Sequence, residues 1–427
     1  MTMRFHVVSL PHTQVAADFP CCAFTNKVRR FCQMMTGRGH EVLLYAGERT
    51  DAPCAELVTC ISENKRKKMV GDRHYTEADW SHPFWKGFNA RVIEALEERL
   101  QPRDFICLIG GWSHKPIADA FPNHVSVEFG IGYAGTFARF RVFESYAWMH
   151  MVYGAEAGNP GAKDGQWFDA VIPNQIDDTE IGEALSDRSK RYDKIYWAEG
   201  KHDGPVGPDM WPPSDYIDVA TGFALSGPPN TVEDEITRLA SVTKHNRRVR
   251  EWRKAHPLEP PYALYVGRLI DRKGFRIAQD VCQAKGVELI LAGPGSERGS
   301  GYGRFVGEVD AATRATLMAG ARCLFAPTQY VEPFGTVTIE AMACGTPVIC
   351  TDWGAFTETI QHGVHGFRCR TFAEFCAALD RVSELDPWRI RADALRRFSM
   401  ATVAQQYEDY FNRLATVFDK GWYQEAA

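Results

Sequence analysis

Residues 328–352 read TQYVEPFGTVTIEAMACGTPVICTD. The apolar run CLFAP just before them (Cys323 to Pro327) has the length and content of a buried strand. Glu332-Pro333-Phe334-Gly335 is a turn, Ile339 to Ala343 keeps helical spacing, Gly345-Thr346-Pro347 stops the helix, and PVICTD begins a second strand. Strand, helix, strand is the unit from which parallel sheets are built. A loop that runs into a helix leaves the amides of Phe334, Gly335 and Thr336 without helical acceptors, and the helix dipole adds partial positive charge, so the loop suits phosphate. Glu332 precedes the first turn and Glu340 lies more than a turn inside, where each faces hydroxyls rather than phosphate. Phosphate flanked by polyols describes a nucleotide sugar.

Working outward, the same logic repeats. Phe5 to Leu10 (FHVVSL) reads as a first buried strand. After the loop PHTQVAADFPCC, Ala23 to Thr36 carries helical spacing through Val28, Phe31 and Met35, and GRGHEV turns into the strand EVLLYAG. Phe84 to Leu100 reads as an amphipathic helix, and DFICLIGG (Asp104 to Gly111) as a strand whose glycine pair opens space at the sheet's carboxyl edge. Trp112, Ser113, His114 and Lys115 then start a helix. VSVEFGIGYAG (Val125 to Gly135) reads as a glycine-broken strand, and FESYAWMHMVYG (Phe143 to Gly154) as an aromatic-rich helix.

Tyr262 to Phe275 (YALYVGRLIDRKGF) opens a second set of such units. Arg268 and Lys273 lie on its first loop, where a guanidinium fork and an ammonium point charge suit a diphosphate. VELILAGPG (Val287 to Gly295) is a strand with glycines at its end, and RFVGEVD follows. A chain of 427 residues exceeds one compact core, and two domains are expected. The stretch 177–260, rich in Pro, Gly and charge with a helix expected over Thr231 to His256, reads as an inserted subdomain.

Composition narrows the partners. Hydrophobic residues at 45% and charged residues at 24% suit a soluble globular protein, and the net charge of −5 argues against a wholly basic nucleic-acid binder. Basic runs remain at Lys65 to Arg73 and Arg247 to Lys254, each a solvated segment or an acceptor-facing patch. The 12 cysteines show neither CxxC pairs nor zinc-finger spacing, which fits buried thiols in a reducing cytoplasm. No stretch approaches the roughly 20 apolar residues of a membrane span. No DxD motif suggests a divalent metal, and no bound cofactor is expected.

The EPFG…EAMACGTPV stretch, with the GRL-x-x-x-KG pattern of Gly267 to Gly274, resembles the retaining glycosyltransferases of the GT-B fold, specifically family 4. The first domain also resembles bacteriophage-type members. The resemblance implies an α/β fold of two Rossmann-like domains across a cleft: residues 1–174 on the acceptor side, 261–400 for the nucleotide sugar, and a last helix, about 401–419, crossing back. It implies that Arg268, Lys273 and the amides of Gly335 and Thr336 stabilise the leaving diphosphate, that Glu332 holds the donor sugar and Glu340 the ribose. Gly267, Gly293, Gly295, Val306, Val309 and Phe334 then belong to the donor site, and His114, Lys115 and Tyr133 to the acceptor side. Where relatives place a histidine, this chain has Glu128, either a buried structural acid or the group that meets sugar or acceptor. Cys21-Cys22-Ala23 stands where relatives carry a glycine pair. The acceptor is left open between a hydroxymethylated DNA base and a saccharide, lipid-linked or small-molecule hydroxyl. A non-catalytic nucleotide-sugar-binding protein is the reading from another class.

Overall fold

The computed structural model describes residues 2–19, 22–177, 262–295 and 301–416, apart from positions 78 and 80, together with Ile181 and a short antiparallel pair, β8 (Ile217–Asp218) and β9 (Phe223–Ala224). The helix expected over Thr231 to His256, and with it the basic run at Arg247 to Lys254, lies outside the described residues. The chain divides into two compact units, Met1–Gln175 with the described part of Met400–Ala427, and Ile176–Ser399.

The first unit is a parallel sheet of seven strands: β1 (Arg4–Val8), β2 (Glu41–Gly47), β3 (Glu56–Ile61), β4 (Phe105–Leu108), β5 (Val125–Ile131), β6 (Phe140–Phe143) and β7 (Ala170–Val171). Their order is β3-β2-β1-β4-β5-β6-β7, with Phe5 opposite Val42 on one side and Phe105 on the other. Strands buried on both faces need apolar side chains in both directions, which is why FICL is a continuous run, while His6 within FHVV is accommodated by hydrogen bonds to Tyr45 and Asp104. Helices α1 (Ala23–Gly37), α2 (Glu63–Val70), α3 (Phe84–Glu97), α4 (Lys115–Ala120) and α5 (Tyr146–Ala157) connect them. Phe31 of α1 packs edge-on against Phe5 at 5.8 Å. The chain's last described helix, Met400–Ala415, presses Tyr407 and Phe411 onto the same group, with Phe411 4.7 Å from Phe5.

Two readings of the first unit change. The solvated segment expected at Lys65 to Arg73 is helical through Val70, in α2, with Arg73 beyond its end: Ser62 accepts from the Lys65 amide at 3.4 Å, and Arg66 forks onto Glu63 at 2.7 Å. An i, i+3 acid converts a run of cations into a stable helical face. Phe143 belongs to strand β6, and the aromatic helix starts three residues later, where Ser145 caps the Trp148 amide at 3.1 Å. A fully buried four-residue strand carries no period-2 signal, so FRVF merged with the helix behind it. β5 ends at Ile131, and Gly132 to Gly135 form a turn.

The second unit is a parallel sheet of six strands: β10 (Tyr262–Val266), β11 (Glu288–Ala292), β12 (Arg304–Gly307), β13 (Leu324–Ala326), β14 (Val348–Thr351) and β15 (Gly366–Cys369), in the order β12-β11-β10-β13-β14-β15. Its helices are α6 (Phe275–Lys285), α7 (Ala311–Gly320), α8 (Thr336–Ala343), α9 (Phe356–Thr359), α10 (Phe372–Arg381) and α11 (Pro387–Phe398); Met400–Ala415, in the first unit, is α12. In both sheets the strand order reverses beside the first strand, between β1 and β4 and between β10 and β13. Loops leaving adjacent strands there go to opposite faces and open a crevice at the carboxyl edge. Among the described residues no helix is long and apolar enough to cross a membrane, and no group of three His, Cys, Asp or Glu is placed to hold a metal.

Candidate functional site

The crevice of the second unit is lined by the loops that follow β10 and β13. Close backbone packing shapes it: a Cβ at Gly293 would lie 2.2 Å from the Gly267 carbonyl, and one at Gly295 2.7 Å from Leu269. Gly293 and Gly295 therefore serve to bring two strand ends together. Beyond Gly267, the exposed Arg268 has no ion-pair partner among the described residues. The turn Asp271–Lys273 then ends at Gly274, in the left-handed region at φ +74, where a Cβ would fall 1.9 Å from the Pro327 carbonyl. Only glycine lets the two loops touch there.

That contact sets Lys273 against Glu332, whose carboxylate accepts from the Lys273 ammonium at 2.7 Å. Burial opposes the ammonium, but the Glu332 charge and the Tyr330 hydroxyl outweigh it and hold Lys273 above the ordinary lysine value. The Tyr330 ring stands 5.1 Å from both the Lys273 ammonium and the Arg272 guanidinium. Burial, then the Glu332 charge, raises the Tyr330 phenol. The Lys273 ammonium thus stands against Glu332, three residues before the Gly335 cap of α8.

Helix α8 begins at Gly335, at φ +79, where a Cβ would press 2.6 Å into the Phe356 ring. Phe334 anchors the turn by burying its ring edge-on to Phe398 at 5.9 Å. Thr336 is the first helical residue, so the dipole's positive end opens three residues after Glu332. Glu340, in the second turn and 8% exposed, meets Arg314 of α7, with Nε 3.1 Å from Oε2 and Nη2 3.2 Å from Oε1. Val306 lies in β12 and Val309 just before α7, both half-buried. Arg314 and Tyr330 were absent from the sequence reading. Each acquires its meaning from a partner on another loop, and neither spacing nor residue type announces that.

In the first unit the expected residues are placed differently. Glu128 is fully enclosed: Oε2 accepts from the Phe137 and Ala138 amides at 2.8 Å each, and Oε1 accepts from the Tyr133 hydroxyl at 3.2 Å. Burial raises its pKa against these hydrogen bonds. Glu128 thus holds the segment after β5 through the Phe137 and Ala138 amides, and Tyr133 donates to it. His114 is likewise enclosed, with Nδ1 accepting from the Gly110 amide at 3.1 Å. Lys115 is half-buried and pairs with Asp119 at 2.6 Å. His12, which the sequence reading passed over, is buried beside Trp85, their rings 6.1 Å apart. A buried pair of Lys27 and Glu144 lies at the same carboxyl edge, with Asn174 donating to Glu144 at 3.0 Å.

Residues 260–384 match the family described as Glycosyl transferases group 1. The chain is 33% identical over 174 residues to the phosphatidyl-myo-inositol mannosyltransferase of Mycobacterium leprae, a match covering 36% of this chain and 46% of that protein. It is 33% identical over 146 residues to a glycogen synthase of Mycobacterium tuberculosis, covering 30% and 35% respectively. The matched stretch therefore spans less than half the length of these curated relatives. Among solved structures, the chain resembles HepE of Anabaena in complex with UDP-glucose (TM-score 0.57, 17% identity, 96% of this chain and 100% of that one). It also resembles a sucrose-phosphate synthase from Thermosynechococcus elongatus (TM-score 0.59, 18% identity, 97% and 99%). The chain has the α/β fold of the GT-B glycosyltransferases, two parallel-sheet Rossmann-like units, with the group 1 match lying in the second.

Proposed function

We propose that the protein is a retaining glycosyltransferase whose second unit takes a nucleoside diphosphate sugar. The observation that carries this reading is the Lys273–Glu332 pair at the entrance of α8, in the crevice where the strand order of the second sheet reverses. Cations beside a helix N-terminus match a diphosphate, and a carboxylate beside them matches sugar hydroxyls. The group 1 match and the UDP-glucose bound by HepE support it.

In this reading Arg268 and Lys273 meet the diphosphate, and the Gly335 and Thr336 amides complete its cradle. Charge develops on the diphosphate as the glycosidic bond to the donor breaks, so fixed donors aimed at it lower the barrier by several kcal/mol. Glu332 orients the donor sugar and Glu340 the ribose. The acceptor hydroxyl oxygen bonds the anomeric carbon from the face the diphosphate leaves, the carbon–diphosphate bond breaks, and the departing diphosphate oxygen accepts the hydroxyl proton. No metal enters these steps. The acceptor is assigned by class only, a hydroxyl. For a hydroxymethylated base in DNA the first basic run offers fewer cations than its sequence counts, because Arg66 and Arg73 donate to Glu63 and to carbonyls of the chain itself.

The test is a thermal-shift screen of the purified chain with UDP, GDP, ADP, CMP and dTDP and their sugar conjugates, with and without magnesium. A shift with one nucleoside diphosphate, lost in Lys273→Met and in Glu332→Gln, supports the assignment. No shift with any ligand refutes it. Product analysis with saccharide and hydroxymethylated-DNA acceptors, reading the anomeric configuration, then decides acceptor and stereochemistry.

A further inference from the structure

A lysine ammonium rides on a flexible stem and its N–H donors rotate together, so by itself it is a charge without a direction. Around Lys273 that freedom is removed. Glu332 accepts from the Lys273 ammonium at 2.7 Å, and the Tyr330 hydroxyl is hydrogen-bonded to the same ammonium and to the same carboxylate. Two acceptors on one tetrahedral nitrogen stop its rotation and set the direction of the third N–H. The Tyr330 ring adds a second restraint, since it lies 5.1 Å from both the Lys273 ammonium and the Arg272 guanidinium and serves two adjacent cations.

Tyr330 is itself held by two loops. The Gln329 backbone amide donates to the Arg272 carbonyl at 2.9 Å and its side-chain amide to the Asp271 carbonyl at 2.8 Å, which ties the segment to the loop after β10. From the loop after β14, the Trp353 indole donates to the Tyr330 carbonyl at 3.1 Å and the Ala355 amide to the Glu332 carbonyl at 3.1 Å. Gly354, at φ +61, permits that approach, because a Cβ there would lie 2.9 Å from the Glu332 nitrogen. Residues 330 and 332 thus give their side chains to Lys273 and their carbonyls to the loop after β14.

We propose that Tyr330 is a positioning residue of the donor site, which together with Glu332 fixes the Lys273 ammonium so that its third N–H meets the diphosphate. The inference rests on the nucleotide-sugar reading above. Tyr330 touches no ligand in this role. It turns a mobile point charge into a directed donor, and direction matters most where charge develops on one particular oxygen as the bond to the donor sugar breaks.

The experiment is isothermal titration of the full chain with UDP, GDP, ADP and dTDP, and with the monophosphate of whichever base binds best. Wild type should prefer the diphosphate over the monophosphate by about tenfold or more, the worth of one charge-assisted hydrogen bond. Tyr330→Phe, which keeps the ring and removes the hydroxyl, should lower that preference about three- to tenfold while leaving monophosphate affinity at the wild-type value. In a Lys273→Met background the same change should not alter the preference further, because Tyr330 acts through the ammonium. Equal losses of monophosphate and diphosphate affinity in Tyr330→Phe would show that the phenol only holds the loop, and would overturn the inference. A preference that falls again in the Lys273→Met background would make Tyr330 a direct phosphate contact, which overturns it too, as does an unchanged preference in Tyr330→Phe. Absence of binding by every diphosphate strikes the donor reading and the inference together, whereas the other failures leave the donor reading standing, which separates them.

Discussion

Acidification from pH 7 to pH 5 should destabilise the first unit through two buried imidazoles, His12 and His114. Burial, and then the charge of Arg66, lowers His12 to about 4. Burial, and then the neighbouring His12, lowers His114 to about 3. Both folded values lie below that of an unfolded histidine, so on acidification the unfolded chain takes up protons that the folded chain refuses. Stability is therefore intact above about pH 6.5 and is lost as pH falls from there toward the folded values. For a group moving from 6.5 to about 3, the step from pH 7 to pH 5 favours unfolding by about 2 kcal/mol. In a unit of this size that is roughly 4–8 °C of melting temperature. His12 adds a loss of the same sign, though not independently, because the two rings share one repulsion. His40 and His124, also lowered mainly by burial, act in the same direction. Glu128 acts oppositely: raised by burial, it is protonated in the folded state first and regains some stability as pH falls. Glu63, held at about 2 by its hydrogen bond from Arg66, keeps its full contribution between pH 7 and pH 5 and loses it only as pH falls from about 4.5 toward 2. The assay is calorimetric melting of the full chain at both pH values, for wild type and for His114→Asn, whose amide oxygen can still accept from the Gly110 amide. The variant should lose about 4–8 °C less than wild type on acidification. Equal losses would refute the buried, neutral His114.

Three further outcomes follow from the packing. Lys273→Met leaves the Glu332 carboxylate, 8% exposed, without its counter-ion, and should cost the second unit roughly 2–4 kcal/mol in urea melts. Adding Glu332→Gln should restore stability but not nucleotide binding, and a single variant as stable as wild type would contradict the pairing. Gly274→Ala combines a left-handed backbone with a Cβ 1.9 Å from a carbonyl, so a loss of roughly 3 kcal/mol or more is expected, together with weaker nucleotide binding; an unchanged melting curve would show that the two loops do not touch. Glu128→Gln should keep stability and turnover near wild type, whereas Glu128→Leu, which strands the Phe137 and Ala138 amides, should cost about 2–4 kcal/mol. A Glu128→Gln protein that folds normally but turns over slowly would return Glu128 to the reacting centre.

The EPFG…EAMACGTPV stretch was legible because its signals are local. An apolar run between two breakers is a buried strand wherever it occurs, and Gly335 opens a helix because of its own backbone angle, φ +79. Legibility failed where one residue's state depends on a distant one. Lys65 to Arg73 looked like a solvated run until Glu63 and the His12 carbonyl claimed Arg66. FRVF was too short and too uniformly apolar to separate from the helix behind it. Glu128 could be read in two ways because a carboxylate's role is set by what encloses it.

Alternation of apolar strands with amphipathic helices, punctuated by glycine and proline, was enough by itself to determine a parallel α/β chain with a phosphate-suited helix entrance at Gly335, since period and turn chemistry act over a few residues. Tertiary structure alone decided which charges meet. Lys273 and Glu332 are 59 residues apart, and Arg314 and Glu340 are 26 apart. They come together because the strand order reverses between β10 and β13 and because α7 and α8 pack side by side, and pairing energy depends on distance through space, which the order of residues does not record.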